Sequence, residues 1–158
     1  MAKIVIIFDS KTGNTEKMAK HIANGAKSVK DVNVFLKKLG EAFSLSLLDD
    51  ADAIILGAPA HYAHVTPDMK NFLAYLKDEK EAGRLNLEEK LGAAFGSYGW
   101  DGGVAIERLA LDMEHLGISV QSSVLAQVPP LPYSSLKEKA LEECRDLGKA
   151  LANKTLKR

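Results

Sequence analysis

Three hydroxyls, an amide, an ammonium group and a glycine fall within six consecutive residues near the start of the chain: Ser10, Lys11, Thr12, Gly13, Asn14 and Thr15. An apolar run, Ile4 to Phe8, precedes them, and a helical pattern begins at Thr15. A strand, a tight hydroxyl-rich turn and a helix N-terminus aim side-chain hydroxyls and backbone N–H groups at one point. The helix dipole adds about half a positive charge there. Such a place favours an anion, most simply a phosphate. Gly13 is expected where the backbone turns sharply or approaches the ligand closely. Neutral donors would do most of the work, with Lys11 adding one charge.

Two further stretches carry unusual chemistry. Ala58 to Thr66 contains His61, Tyr62 and His64, and Ser97 to Gly103 contains Tyr98 and the only tryptophan, Trp100. A phosphate cradle at one end and aromatic rings at the other suit a planar ring on a phosphate tail. Nucleotides and flavins both have that shape. The first loop lacks the G-x-x-x-x-G-K-[ST] spacing of a nucleotide P-loop and the G-x-G-x-x-G spacing of a dinucleotide site. His61 and His64 are three apart, with no cysteine or carboxylate at ligand spacing, so no metal site is expected. A receiver-like module is also disfavoured. Asp9 stands alone after the first strand, and Gly57-Ala58-Pro59 occupies the place of a phospho-acceptor.

The elements that must position these loops alternate along the chain. Lys3 to Phe8 is a nearly continuous β-branched and apolar run, as in a strand buried on both faces. The helix from Thr15 places Met18, Ala19, Ile22, Ala23 and Ala26 at three-and-four spacing. Asp31 to Lys37 alternates as a second strand, Ser46 to Asp50 reads as a short turn, and Ala53 to Gly57 is a third strand. Pro67 opens a helix to about Glu79, its ring suited to a first turn. Leu91 to Gly96 is a fourth strand. A helix from Val104 to Leu116 ends at Gly117, and Ile118 to Val128 is a fifth strand. Pro129, Pro130 and Pro132 interrupt the chain before a last helix from about Ser135 to Leu151 or beyond. Strand and helix repeated about five times argue an α/β fold, a parallel sheet with helices on both faces. In such sheets ligands bind outside the carboxyl ends of the strands. All three unusual loops lie at such ends.

Length and composition bound the rest. The 158 residues point to one domain, spanning 1–158. With 21 basic and 21 acidic residues, formal charge is zero, so no excess points to nucleic acid. Asp49, Asp50 and Asp52 read as a solvated turn rather than an acidic docking patch. The lone cysteine, Cys144, excludes an intramolecular disulfide and sits in an amphipathic helix as a structural thiol. No apolar run approaches the roughly 18 to 20 residues that span a membrane. Met1-Ala2-Lys3 leads straight into a strand without a signal-peptide pattern, so a cytoplasmic location is expected.

Ser10, Thr12, Gly13 and Thr15, with Asn14 between, match the Ser/Thr-x-Thr-Gly-x-Thr phosphate loop of flavodoxins, and the chain resembles a short-chain flavodoxin over nearly its whole length. The resemblance implies a five-stranded parallel sheet in the order 2-1-3-4-5, and FMN as cofactor. Ser10, Thr12, Asn14 and Thr15 would hold the phosphate, with the N–H groups of Lys11 and Gly13. Ala58, Pro59, Ala60, His61, Tyr62 and Ala63 would line the dimethylbenzene and N5 side of the ring. Ser97, Tyr98, Gly99, Trp100 and Gly102 would hold the pyrimidine side. Tyr98 or Trp100 would stack on the ring, worth on the order of 1 kcal/mol beyond burial. Gly96-Ser97-Tyr98-Gly99-Trp100 is similar to the flavodoxin domain of flavodiiron proteins. Gly57 to Ala60 with Pro67 to Leu73 is similar to flavodoxin-fold NAD(P)H:quinone reductases.

Many flavodoxins place a glycine beside flavin N5, where its peptide flips on one-electron reduction. This chain has no glycine between Gly57 and Thr66. A non-glycine entering a left-handed conformation costs roughly 1 to 2 kcal/mol. At about 59 mV per 1.4 kcal/mol, that is about 40 to 85 mV less stabilisation of the one-electron-reduced flavin. A histidine near the ring, His61 or His64, would make its potential depend on pH near neutrality. The resemblance implies an electron carrier working between redox partner proteins, with no catalytic residue. Its alternative is an NAD(P)H-dependent quinone or flavin reductase, in which a homo-oligomer interface completes the substrate pocket.

Overall fold

The computed structural model describes residues 1–128 and 136–158. Strands β1 (Ala2–Phe8), β2 (Val32–Lys38), β3 (Ala53–Gly57), β4 (Leu91–Tyr98) and β5 (Ser119–Gln127) alternate with helices α1 (Asn14–Lys27), α2 (Leu45–Asp49), α3 (Pro67–Glu81), α4 (Val104–His115) and α5 (Glu138–Leu156). The strands form one sheet in the order β2-β1-β3-β4-β5, with every pairing parallel. That is the architecture the sequence pattern and the flavodoxin resemblance imply.

The sheet has two covered faces because its inner strands are apolar on both. Along β1, Ile4, Ile6 and Phe8 pack in a core with α1 and α5, whereas Val5 and Ile7 pack in a second core with α3 and α4. This follows from the two-residue period of a strand. All five residues are buried. Helices α1 and α5 approach so closely that a Cβ at Gly25 would overlap the Arg145 carbonyl, and one at Gly148 would overlap the Ile22 carbonyl.

Some boundaries differ from expectation. Ser46 to Asp49 belong to the short helix α2, not a turn, and Asp50 is its C-cap; the extended Ser44 precedes the helix and Leu48 is buried beneath it. Strand β4 continues through Ser97 and Tyr98, two residues past the expected end, because both pair with β5, at Ala126 and Gln127. Helix α3 extends to Glu81. The end of helix α5 agrees with the expected Leu151 or beyond: it runs to Leu156, and Ala152 and Thr155 also face the core. Pro129, Pro130, Pro132 and Ser135 lie outside the described residues. Among the described residues, no helix is long and apolar enough to cross a membrane, and no group of histidine, cysteine and acidic side chains could hold a metal.

Cys144 is fully buried in the core under α5. Burial pushes its thiol up to about 12, with Glu143 adding to the shift. Thiolate is the reactive form. Thiol reagents at pH 8 should therefore leave folded protein unmodified and label one site per chain once urea unfolds it, as read by intact mass.

Candidate cofactor site

The site is built on a register. Phe8 on β1 pairs with Gly57 on β3, and Gly57 pairs with Phe95 on β4, so three strand ends lie side by side. Beyond them the ladder continues into the loops. Asp9 N–H donates to Gly57 O at 3.0 Å, Ala58 N–H to Phe95 O at 3.2 Å and Ala60 N–H to Ser97 O at 2.8 Å. The loops after β1, β3 and β4 therefore leave the sheet as neighbours. Gly57 is required here because a Cβ would overlap the Phe95 ring.

In the first loop, Ser10 is buried and its Oγ accepts the N–H groups of Gly13 at 3.1 Å and Glu16 at 3.3 Å. Both lone pairs are thereby used, which leaves the hydroxyl proton as the outward donor. The same bond turns the Gly13 N–H toward Ser10. Gly13 itself has φ 94°, a left-handed conformation, and caps α1 without a side-chain bond. Thr12 is exposed, and its Oγ1 accepts from Asn14 Nδ2 at 3.4 Å. Thr15 is buried, with Oγ1 3.2 Å from Ser97 Oγ, so this first loop is tied directly to β4. Lys11 lies between two carboxylates, 3.6 Å from Asp9 Oδ2 and 3.5 Å from Asp68 Oδ2. The donor set at this helix N-terminus fits an anion and needs little net charge.

The second loop contains a hairpin turn. His61 N–H donates to His64 O at 2.6 Å and His64 N–H to His61 O at 3.1 Å. The residues between, Tyr62 and Ala63, have φ 52° and 63°. A two-residue turn of this kind needs positive φ at both central positions. The glycine-free sequence thus enters the left-handed region after all, at roughly 1 to 2 kcal/mol per residue. The His61 and Tyr62 rings stack at 5.2 Å. Arg108 on α4 reaches the turn, with Nη1 3.5 Å from Ala63 O and 3.4 Å from His64 Nδ1.

The aromatic residues divide into two kinds. Trp100 is 74 % exposed and Tyr62 is 77 % exposed, so neither covers the core. Tyr98 is half-buried and packs on the core shared with α3 and α4. Asp101 shapes the third loop by accepting from Gly103 N–H at 2.8 Å and Ala105 N–H at 3.1 Å, which caps α4. Ala58 is buried, Pro59, Ala60 and Ala63 are half-buried, and Gly99 and Gly102 are exposed.

Two residues of the site carried no role in the sequence reading, Asp9 and Thr66. Both are buried and they meet through a 2.5 Å bond. Thr66-Pro67-Asp68 has the N-cap, proline and acidic pattern of a helix start, which could have flagged Thr66. Nothing local marks Asp9.

A parallel sheet in this order, with a phosphate-type cradle after its central strand and two aromatic loops beside it, defines the flavodoxin class. The family model for flavodoxin matches residues 6–146, and the chain belongs to that family. It is 32 % identical to a flavodoxin of Clostridium saccharobutylicum, over 96 % of each chain. A solved flavodoxin from the domain Archaea superposes with a TM-score of 0.79 at 35 % identity, covering 97 % of this chain and 98 % of that one. The rubredoxin oxygen:oxidoreductase of Desulfovibrio gigas superposes with a TM-score of 0.80 at 26 % identity, and there the match covers 97 % of this chain but 36 % of that one. Family membership implies a flavin cofactor.

Two substitutions read the local energetics. Ser10→Ala removes an acceptor for two N–H groups and should lower stability by about 1 kcal/mol. Ala63→Gly relieves a left-handed alanine and should raise it by about 1 kcal/mol. Urea denaturation of the ligand-free protein checks both signs.

Proposed function

We propose that residues 1–158 act as one FMN-binding unit that carries electrons between redox partner proteins. Ser10, Thr12 and Thr15 hydroxyls, Asn14 and the Lys11 ammonium hold the phosphate at the N-terminus of α1. Residues 58–63 and Ser97, Tyr98, Gly99, Trp100 and Gly102 border the ring. When bound, FMN supplies reversible one- and two-electron transfer. The chain's part is to hold, orient and partly shield it.

One observation favours a carrier over an enzyme. Tyr62 and Trp100, one on each of the two aromatic loops, are both largely exposed. A ring held between them keeps an edge at the protein surface, where a partner's redox centre can approach. Trp100 is the preferred stacking platform, because Tyr98 is already packed on the core. The neutral formal charge of the chain argues against partner capture through a strong long-range field. Docking then rests on short-range contacts with these loops.

The competing reductase reading is separated by a mixing experiment. FMN-loaded protein, mixed anaerobically with excess NADH or NADPH, should keep its oxidised flavin absorbance for minutes. It should lose that absorbance on adding dithionite. Bleaching by either nicotinamide within seconds, together with a tetramer on gel filtration, would establish the reductase instead.

A further inference from the structure

Asp9 is a buried carboxylate that phosphate binding and electron transfer leave without a task. Its surroundings assign one. Asp9 N–H donates to Gly57 O, the residue from which the ring-side loop departs. Its Oδ2 accepts from Thr66 Oγ1 at 2.5 Å, the residue at which that loop ends, 57 positions along the chain. Its Oδ1 accepts the N–H of Ser10 at 2.9 Å, the first residue of the phosphate loop. One residue therefore grips both ends of the 58–66 loop and the start of the phosphate loop. Thr66 is fully buried, and its Oγ1 also accepts Met69 N–H at 3.3 Å as the N-cap of α3. Lys11 adds an exposed, weaker link between the same two elements by lying near Asp9 and Asp68.

We propose that Asp9 is a positioning residue: through the Thr66 hydroxyl it fixes the ring-side loop, and with it the His61–His64 turn, against the phosphate cradle. The proposal rests on the FMN reading above. The turn holds two left-handed non-glycine residues, Tyr62 and Ala63, that open chain would avoid. Such strain persists only where the surroundings over-determine it. Backbone bonds to β4 fix the start of the loop through Ala58 and Ala60. At its far end, the Asp9–Thr66 bond is the side-chain tie to the sheet. A hydrogen bond to a charged group in a buried place is among the stronger ties a loop can have.

Asp9→Ala and Thr66→Val cut the same bond from opposite ends. Thr66→Ser keeps both the bond and the α3 cap. Thr66→Val should weaken riboflavin and FMN binding by the same factor, about tenfold, since the ring end is what is disturbed; Asp9→Ala, which also frees the Ser10 N–H, should weaken riboflavin by that factor and FMN by at least as much. Ser10→Ala, by contrast, should weaken FMN far more than riboflavin. The loss of affinity in the double variant should fall well short of the two single losses combined, because the Asp9–Thr66 bond can be lost only once, whereas the Ser10 N–H and Met69 N–H bonds are lost separately. In the ligand-free protein, amide exchange at His61 and His64 should quicken in both cut variants and stay slow in Thr66→Ser. The proposal is overturned if the cut variants lose thermal stability alone, with flavin affinity and His61 and His64 exchange unchanged. It is equally overturned if the two effects add in the double variant. If the parent protein binds no flavin, the FMN reading fails instead, and the exchange measurement still judges the brace.

Discussion

Gly57 stands between Phe8 and Phe95 in a three-strand register, with the Phe95 ring lying against the space a side chain would fill. Everything at the site depends on that alignment. It brings the ends of β1, β3 and β4 level, and the loops that follow inherit the hydrogen-bond ladder for one or two residues more. Parallel strands make this possible because each crossover helix returns the chain in the same direction. The buried interior of β1, apolar on both faces, keeps the ladder rigid. The loops can then be polar and exposed without losing their relative positions.

On that frame the two ends of the site are held by different physics. The proposed phosphate end offers hydroxyls, backbone N–H groups and a helix dipole, with Lys11 already shared between Asp9 and Asp68. Recognition of this kind is geometric, and a chain of zero formal charge can supply it. The ring end uses a strained turn and two exposed aromatics. Its shape is imposed from outside by β4, by α4 through Arg108 and by the Asp9–Thr66 bond. The Thr15–Ser97 contact joins the two ends across the middle. Strain in the turn is tolerated because the frame beneath it is not free to relax.

The sequence carried the fold in plain view. Continuous apolar strands, amphipathic helices and their alternation are local patterns, and they led to the sheet order through the family resemblance. The clustering of donors in the Ser10–Thr15 turn was legible too, since its spacing is a local feature of strand, turn and helix. Three things were not. Helix α2 is a single turn and a half, too short for periodicity to show. The left-handed backbone at Tyr62 and Ala63 is set by the His61–His64 hydrogen bonds, and neither residue type signals positive φ. Asp9 gains its role only from Thr66, a partner far along the chain. Long-range pairing of polar groups has no period to read. The exposure of Trp100, in contrast, was foreshadowed by its flanking glycines.

We propose recognition of the flavin through its phosphate, at the Ser10–Thr15 loop. Calorimetric titration of the ligand-free protein with FMN and with riboflavin tests it most directly. A single FMN site per chain is expected, at least about a hundredfold tighter than the riboflavin site, equivalent to about 2.7 kcal/mol for the phosphate. Equal affinity for the two flavins, or no binding of either, would contradict it.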